Sequence, residues 1–159
     1  ACAEPDNRVA REAMMLAATQ GGIAFANASV TLIHGMSRPI GALFHVPHGL
    51  SNAMLLPEIT AWSVEHAAPR YAHCARVMGL ADGADDDARA LDKLVSGLRQ
   101  LNYDLSVPSP GEFGIEETLW FDSLDVMAEQ ALASGSPANN PRIPEAADIV
   151  ELYRRVWAA

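Results

Sequence analysis

Apolar side chains recur along this chain at three- and four-residue steps, the spacing of helices that each bury one face. The first run, Val9, Ala10, Ala13, Met14, Ala17, Gly21, Ala24, Phe25 and Ala28, predicts a helix from about Asp6 to Ala28, with Asp6 able to cap it after Pro5. Gly21 and Gly22 lie inside that run. Each costs about 1 kcal/mol relative to Ala in a helix, so they predict the close approach of another helix. Val30, Ile33, Met36, Ile40 and Phe44 keep the helical step and predict a second helix, kinked at Pro39. Val46-Pro47 breaks the pattern. A third helix opens at His48 or Gly49 and runs through Leu50, Met54, Leu55 and Leu56 to Pro57, with Ile59 and Trp62 extending its stripe past a second kink.

Pro69 restarts a short helix carrying Tyr71, Ala72, Ala75 and Met78, which Gly79 can close in the left-handed conformation. The stretch Asp82 to Asp87 is polar punctuation, and its acids suit the positive end of the next helix. Leu91, Leu94, Val95, Leu98, Leu101 and Leu105 mark that helix. After the loop Pro108-Ser109-Pro110-Gly111, one helix is predicted from about Glu116 to Ala133. A second loop follows from Gly135 to Pro141, and Pro144 stands at the first turn of a last helix carrying Ile149, Leu152, Tyr153 and Val156. No alternating stretch is long enough for a sheet, and no segment repeats. The expected fold is all-α, a single domain over residues 1–159 built as a bundle of six or seven helices.

Composition agrees: 28 alanines stand against 21 valines, isoleucines and threonines. At 159 residues, half of them apolar, the chain can bury a core without a disulfide framework. Acidic side chains outnumber basic ones 20 to 11, a net charge of −9, which argues against a nucleic-acid partner because phosphate binding rests on Lys and Arg. No apolar run approaches the roughly 18–20 residues that span a bilayer, and Ala1-Cys2-Ala3-Glu4-Pro5 lacks the basic-then-apolar order of a signal peptide. The expectation is a cytoplasmic chain with no membrane partner and with Cys2 and Cys74 reduced. The missing initiator Met points to a processed or truncated product.

Candidate chemistry concentrates in one stretch. Three of the five histidines fall between residues 34 and 48, together with Gly35, Pro39, Gly41, Pro47 and Gly49. On a helix, His34, Arg38, Gly41 and His45 share one face, opposite the apolar positions, and could line a cleft or simply face solvent. His48 stands where Pro47 predicts a helix to begin, and the partial positive charge there favours a neutral ring whose lone pair can take a divalent metal. With His34 it could offer two imidazoles from consecutive helices to one cation. A spacing of fourteen matches no short metal motif, and His45 with His48 forms a rival pair three apart. His66 and His73 have no partner at ligand spacing and read as surface or boundary residues.

The unbroken run from His34 through Pro57, His-Gly-Met-Ser-Arg-Pro-Ile-Gly-Ala-Leu-Phe-His-Val-Pro-His-Gly-Leu-Ser-Asn-Ala-Met-Leu-Leu-Pro, closely resembles the signature of the iron-containing alcohol dehydrogenases. Ala10-Arg11-Glu12-Ala13-Met14-Met15-Leu16-Ala17 leading into Gly22 to Asn27, Arg70-Tyr71-Ala72 before Met78-Gly79, and Asn140-Pro141-Arg142 extend the likeness to that family's helical C-terminal domain. The resemblance implies that His34 and His48 are two of four ligands of a catalytic Fe(2+) or Zn(2+), the other two, an Asp and a His, lying upstream of where this chain begins. It also implies an N-terminal NAD(P)-binding domain not contained here, and a small alcohol or aldehyde substrate. Arg38 stands where many members carry a third cleft histidine. A guanidinium stays protonated and cannot relay a proton as imidazole can. Arg38 and His45 are the expected cleft-lining residues.

By this reading no catalytic set is complete in the chain, which should be inactive alone, retain no stoichiometric metal through dialysis and self-associate as a homo-oligomer. The contrasting expectations are a stand-alone helical interaction module in which the histidines are incidental, and a domain of a glycerol dehydrogenase or dehydroquinate synthase relative.

Overall fold

The computed structural model describes all 159 residues, and no residue is in a strand. The chain divides into two compact units, Ala1–Val30 and Thr31–Ala159. The first is essentially one helix, α1 (Arg8–Ala28). Its cap is Asn7 rather than the expected Asp6. Asn7 Oδ1 accepts the Ala10 N–H at 3.0 Å, while the Asn7 backbone N–H bonds to Glu4 O in the turn that precedes it. No residue of α1 is buried, and Val9, Met14, Met15, Leu16, Ile23 and Phe25 are all more than half exposed. A Cβ added at Gly21 or Gly22 would meet nothing within 4 Å.

The second unit holds seven α-helices: α2 (Leu32–Phe44), α3 (His48–Ser63), α4 (Ala68–Val77), α5 (Asp87–Asp104), α6 (Glu117–Asp122), α7 (Leu124–Ala133) and α8 (Ala146–Ala158). Single 3-10 turns at Val64–Ala67 and Ser136–Asn139 link α3 to α4 and follow α7. The all-helical expectation holds. The predicted Glu116 to Ala133 helix is two segments that meet at Ser123, whose hydroxyl donates to Leu119 O at 2.7 Å while its N–H bonds to Trp120 O at 3.2 Å. A hydroxyl bonded to the carbonyl one turn back loosens a helix and favours a bend there. Pro144 lies one residue before the N-cap of α8 rather than in its first turn; the cap is Glu145, whose N–H donates to Asp148 Oδ2 at 2.9 Å.

Two apolar clusters organise this unit. The larger joins α2, α3, α7 and α8 through Leu32, Met36, Ile40, Leu55, Ile59, Met127, Ile149 and Leu152, with Trp120 of α6 at its heart. Trp120 packs edge-on to Tyr153 with ring centres 5.7 Å apart, and against Phe44 at 5.6 Å. Tyr153 is fully buried and donates its hydroxyl proton to Met36 O at 2.7 Å, tying α8 to the middle of α2. The smaller cluster lies between α4 and α5, built from Ala72, Ala75, Ala90, Leu91, Leu94 and Leu98. Between them, α3 is locked at its C-terminal end by Ser63. Its hydroxyl donates to Ile59 O at 2.7 Å and accepts from Asn140 Nδ2 at 3.0 Å.

Candidate metal centre

The stretch that holds the candidate residues is a helix corner. Both prolines that signalled kinks lie inside helices, Pro39 in α2 and Pro57 in α3, and both are buried. α2 presents Leu32, Met36 and Ile40 to the core, which leaves His34 half-buried and Arg38 exposed on another face. The helix ends at His45, which takes the left-handed conformation (φ 57°) and donates its N–H to Gly41 O at 3.1 Å. Histidine is among the few side chains that tolerate this region. Val46 is then buried, and Pro47, with φ −54° and ψ 137°, launches α3 at His48. The linker doubles back along α2: a Cβ at Gly41 would lie 3.4 Å from Val46 O. The start of α3 thereby returns toward the start of α2.

That return brings the His34 and His48 rings together, with centres 5.2 Å apart and planes inclined at 59°. Two imidazoles sharing a cation at metal–nitrogen distances of about 2.1 Å have ring centres roughly 4.5–6 Å apart, so the observed pair has the right separation and is not stacked face to face. Burial, then the neighbouring His48, then the Arg38 guanidinium push the pKa of His34 below its ordinary value. Each cause favours the neutral ring, the form that has a lone pair to donate. No group of three or more His, Cys, Asp or Glu side chains gathers here or elsewhere in the chain, so these residues can supply two ligands of a centre and no more.

Of the other expected residues, Arg38 stands one turn beyond His34 on α2, and His45 is exposed at the left-handed corner. The ring pair is His34 with His48, not the rival His45 with His48. His66 and His73 are both exposed, as expected.

One participant escaped the sequence reading. Asn52, one turn after His48 on α3, places Nδ2 2.8 Å from His48 O and 3.1 Å from His48 Nε2. Its Oδ1 is buried without a hydrogen-bond partner. The signal available in advance was the four-residue step from His48, which puts Asn52 over the same face of the helix.

Fold and ring pair together define an all-helical domain that presents two imidazoles at a tight helix corner. The sequence profile described as "Fe-containing alcohol dehydrogenase family, C-terminal" matches residues 1–157, and the chain belongs to that family. It is 32% identical over 149 residues to the lactaldehyde reductase of Escherichia coli, a match that covers 93% of this chain and 38% of that protein. It is 30% identical over 152 residues to the NADPH-dependent butanol dehydrogenase of Clostridium saccharobutylicum, covering 95% and 39%. The crystal structure of a 1,3-propanediol oxidoreductase superposes with a TM-score of 0.87 at 30% identity, over 95% of this chain and 39% of that one. An iron-containing alcohol dehydrogenase from Thermococcus thioreducens gives 0.79 at 34% identity, over 91% and 36%. The chain thus spans about two fifths of the length of the proteins it matches.

Proposed function

We propose that this chain is the metal-bearing helical portion of a longer, cytoplasmic NAD(P)-linked alcohol dehydrogenase or aldehyde reductase, in which His34 and His48 are two of the ligands of a catalytic divalent cation, iron or zinc. The observation that carries the reading is the convergence of those two rings at 5.2 Å across the α2–α3 corner in a chain of this family. When bound, the cation would act as a Lewis acid on the oxygen of a small alcohol or aldehyde while the nicotinamide exchanges hydride with the adjoining carbon.

This chain's own contribution is to hold two neutral imidazoles in place. Met36 and Ile40, fully buried, anchor the inner face of α2, and the buried Ser51 and Met54 anchor α3. Arg38, exposed beside His34, offers fixed positive charge toward an anionic or electron-rich group of substrate or cofactor rather than a proton relay. The nicotinamide nucleotide and the remaining ligands belong, in this reading, to an N-terminal nucleotide-binding portion of the parent, and the active species is an oligomer of the whole.

The test is calorimetric titration of the 159-residue chain with Zn(2+), and anaerobically with Fe(2+). Two imidazoles should bind one equivalent reversibly and lose it on dialysis. His34→Ala and His48→Ala should each weaken binding at least tenfold. His45→Ala should leave it unchanged. Equal affinity in all four proteins would remove the metal centre from this corner.

A further inference from the structure

The contact of Asn52 with His48 carries more than packing. His48 O is a carbonyl and can only accept, so the Asn52 atom 2.8 Å away must be the amide nitrogen; the opposite assignment of the side chain would set two acceptors against each other. The same NH2 group lies 3.1 Å from His48 Nε2. With one N–H directed to the carbonyl, the other meets Nε2, and a ring nitrogen that receives an N–H must be unprotonated. The neutral ring is then the Nδ1–H tautomer, whereas neutral imidazole in water favours the Nε2–H form. The fixed amide orientation leaves Oδ1 buried with no partner, an arrangement that costs free energy and persists because both N–H groups are used.

We infer that Asn52 is a positioning residue for His48: its amide selects the Nδ1–H tautomer and so keeps Nε2 as the lone-pair nitrogen a cation would take. The inference rests on the two-imidazole reading above for its purpose, but not for its test. A ligand whose tautomer is already chosen binds without first moving a proton, the role that hydrogen-bonding neighbours of metal-binding histidines commonly fill from the other ring nitrogen. Here the partner is on the same nitrogen, so the Asn52 N–H holds the Nε2 lone pair in the metal-free chain and would yield it to a cation, while the second N–H keeps the amide on His48 O.

The experiment is nitrogen-15 NMR of the imidazole rings in the metal-free 159-residue chain at a pH where His48 is neutral, for the parent, Asn52→Leu and Asn52→Asp. Leu matches the shape of Asn without a donor; Asp matches it and can only accept. The parent should show a clearly larger Nδ1–H share at His48 than a neutral histidine in water has. Asn52→Leu should move the tautomer ratio about fivefold toward Nε2–H, the equilibrium weight of one net hydrogen bond, and Asn52→Asp further still. Far-UV circular dichroism confirms that each variant is folded. Added Zn(2+) should then shift Nε2 of the parent and leave Nδ1 protonated. A parent with no more Nδ1–H than a neutral histidine in water, a ratio unchanged in both variants, or zinc taken at Nδ1 overturns the assignment. Zinc that reaches neither nitrogen, with the tautomers as expected, overturns the metal reading and leaves Asn52 as the residue that sets the ring.

Discussion

Adding a single methyl group at Gly35, next to the candidate ligand His34, should destabilise the protein although it improves the helix. Gly35 is buried in α2, where replacing Gly by Ala ordinarily gains about 1 kcal/mol. Here the new Cβ would lie 2.9 Å from both Cγ and Cδ of Pro137 and 3.4 Å from Ala131 O. Pro137 is itself buried in the 3-10 turn after α7, and a pyrrolidine ring cannot swing aside as the end of a leucine can. Relief must come from moving the turn, and overpacking of this kind costs about 1–3 kcal/mol. The balance is a loss of about 1 kcal/mol, or roughly 2–4 °C in Tm for a chain of this length. Gly49→Ala is the matched control: nothing lies within 4 Å of its added Cβ, so it should leave Tm unchanged or raise it by a few degrees. Thermal unfolding followed by circular dichroism reads both. A Gly35→Ala protein as stable as its parent would show that the α2–Pro137 contact is loose, and the steric reasoning would fall.

Two further predictions concern pH. Asp85 is buried and receives Lys93 Nζ at 2.6 Å, Arg89 Nε at 3.0 Å and the Asp82 N–H at 3.0 Å; the Lys93 hydrogen bond is the main reason its pKa is held below the usual carboxylate value. A depressed folded pKa contributes stability that is present above about pH 4 and lost as pH falls through the folded value. Asp85→Asn should therefore unfold more easily at neutral pH and show a flatter decline below pH 4 in urea titrations; parallel acid limbs would refute this. Tyr153 goes the other way, since burial raises its pKa and its stabilising contribution is present below about pH 10 and lost as pH rises beyond that. Tyr153→Phe should cost about 1 kcal/mol at neutral pH, from the lost bond to Met36 O, and flatten the alkaline decline seen by calorimetry.

The helices were legible because their determinants are local. Apolar steps placed α2, α3, α5 and α8, and the density of His, Gly and Pro between residues 34 and 49 marked the corner that brings two rings together. What escaped depends on one side chain competing with the backbone, or on residues far apart in the chain. The helix predicted from Glu116 to Ala133 divides at Ser123 although its apolar pattern runs on unbroken. Gly35 reads as a poor helix former until Pro137, about a hundred residues away, is seen resting on it. Asp85 looked like one more acid in a polar turn, yet its neighbours Arg89 and Lys93 face it only once α5 has formed. Asn52 was within reach of the four-residue rule but gave no chemical signal of its own.

The two separate apolar clusters also shape how such a domain can change over time. The α4–α5 hairpin fills its interior largely with alanine and leucine, while both imidazoles and the corner that joins them rest on the other cluster. Exchanges within the hairpin register first as gains or losses of its own cohesion, and they reach the corner along α3, where Arg99 meets Glu58, Asn102 donates to Ala53 O and Leu56 packs on the hairpin. Sequence drift in the hairpin is thus tolerated only as far as α3, the one helix that serves both clusters, keeps its place.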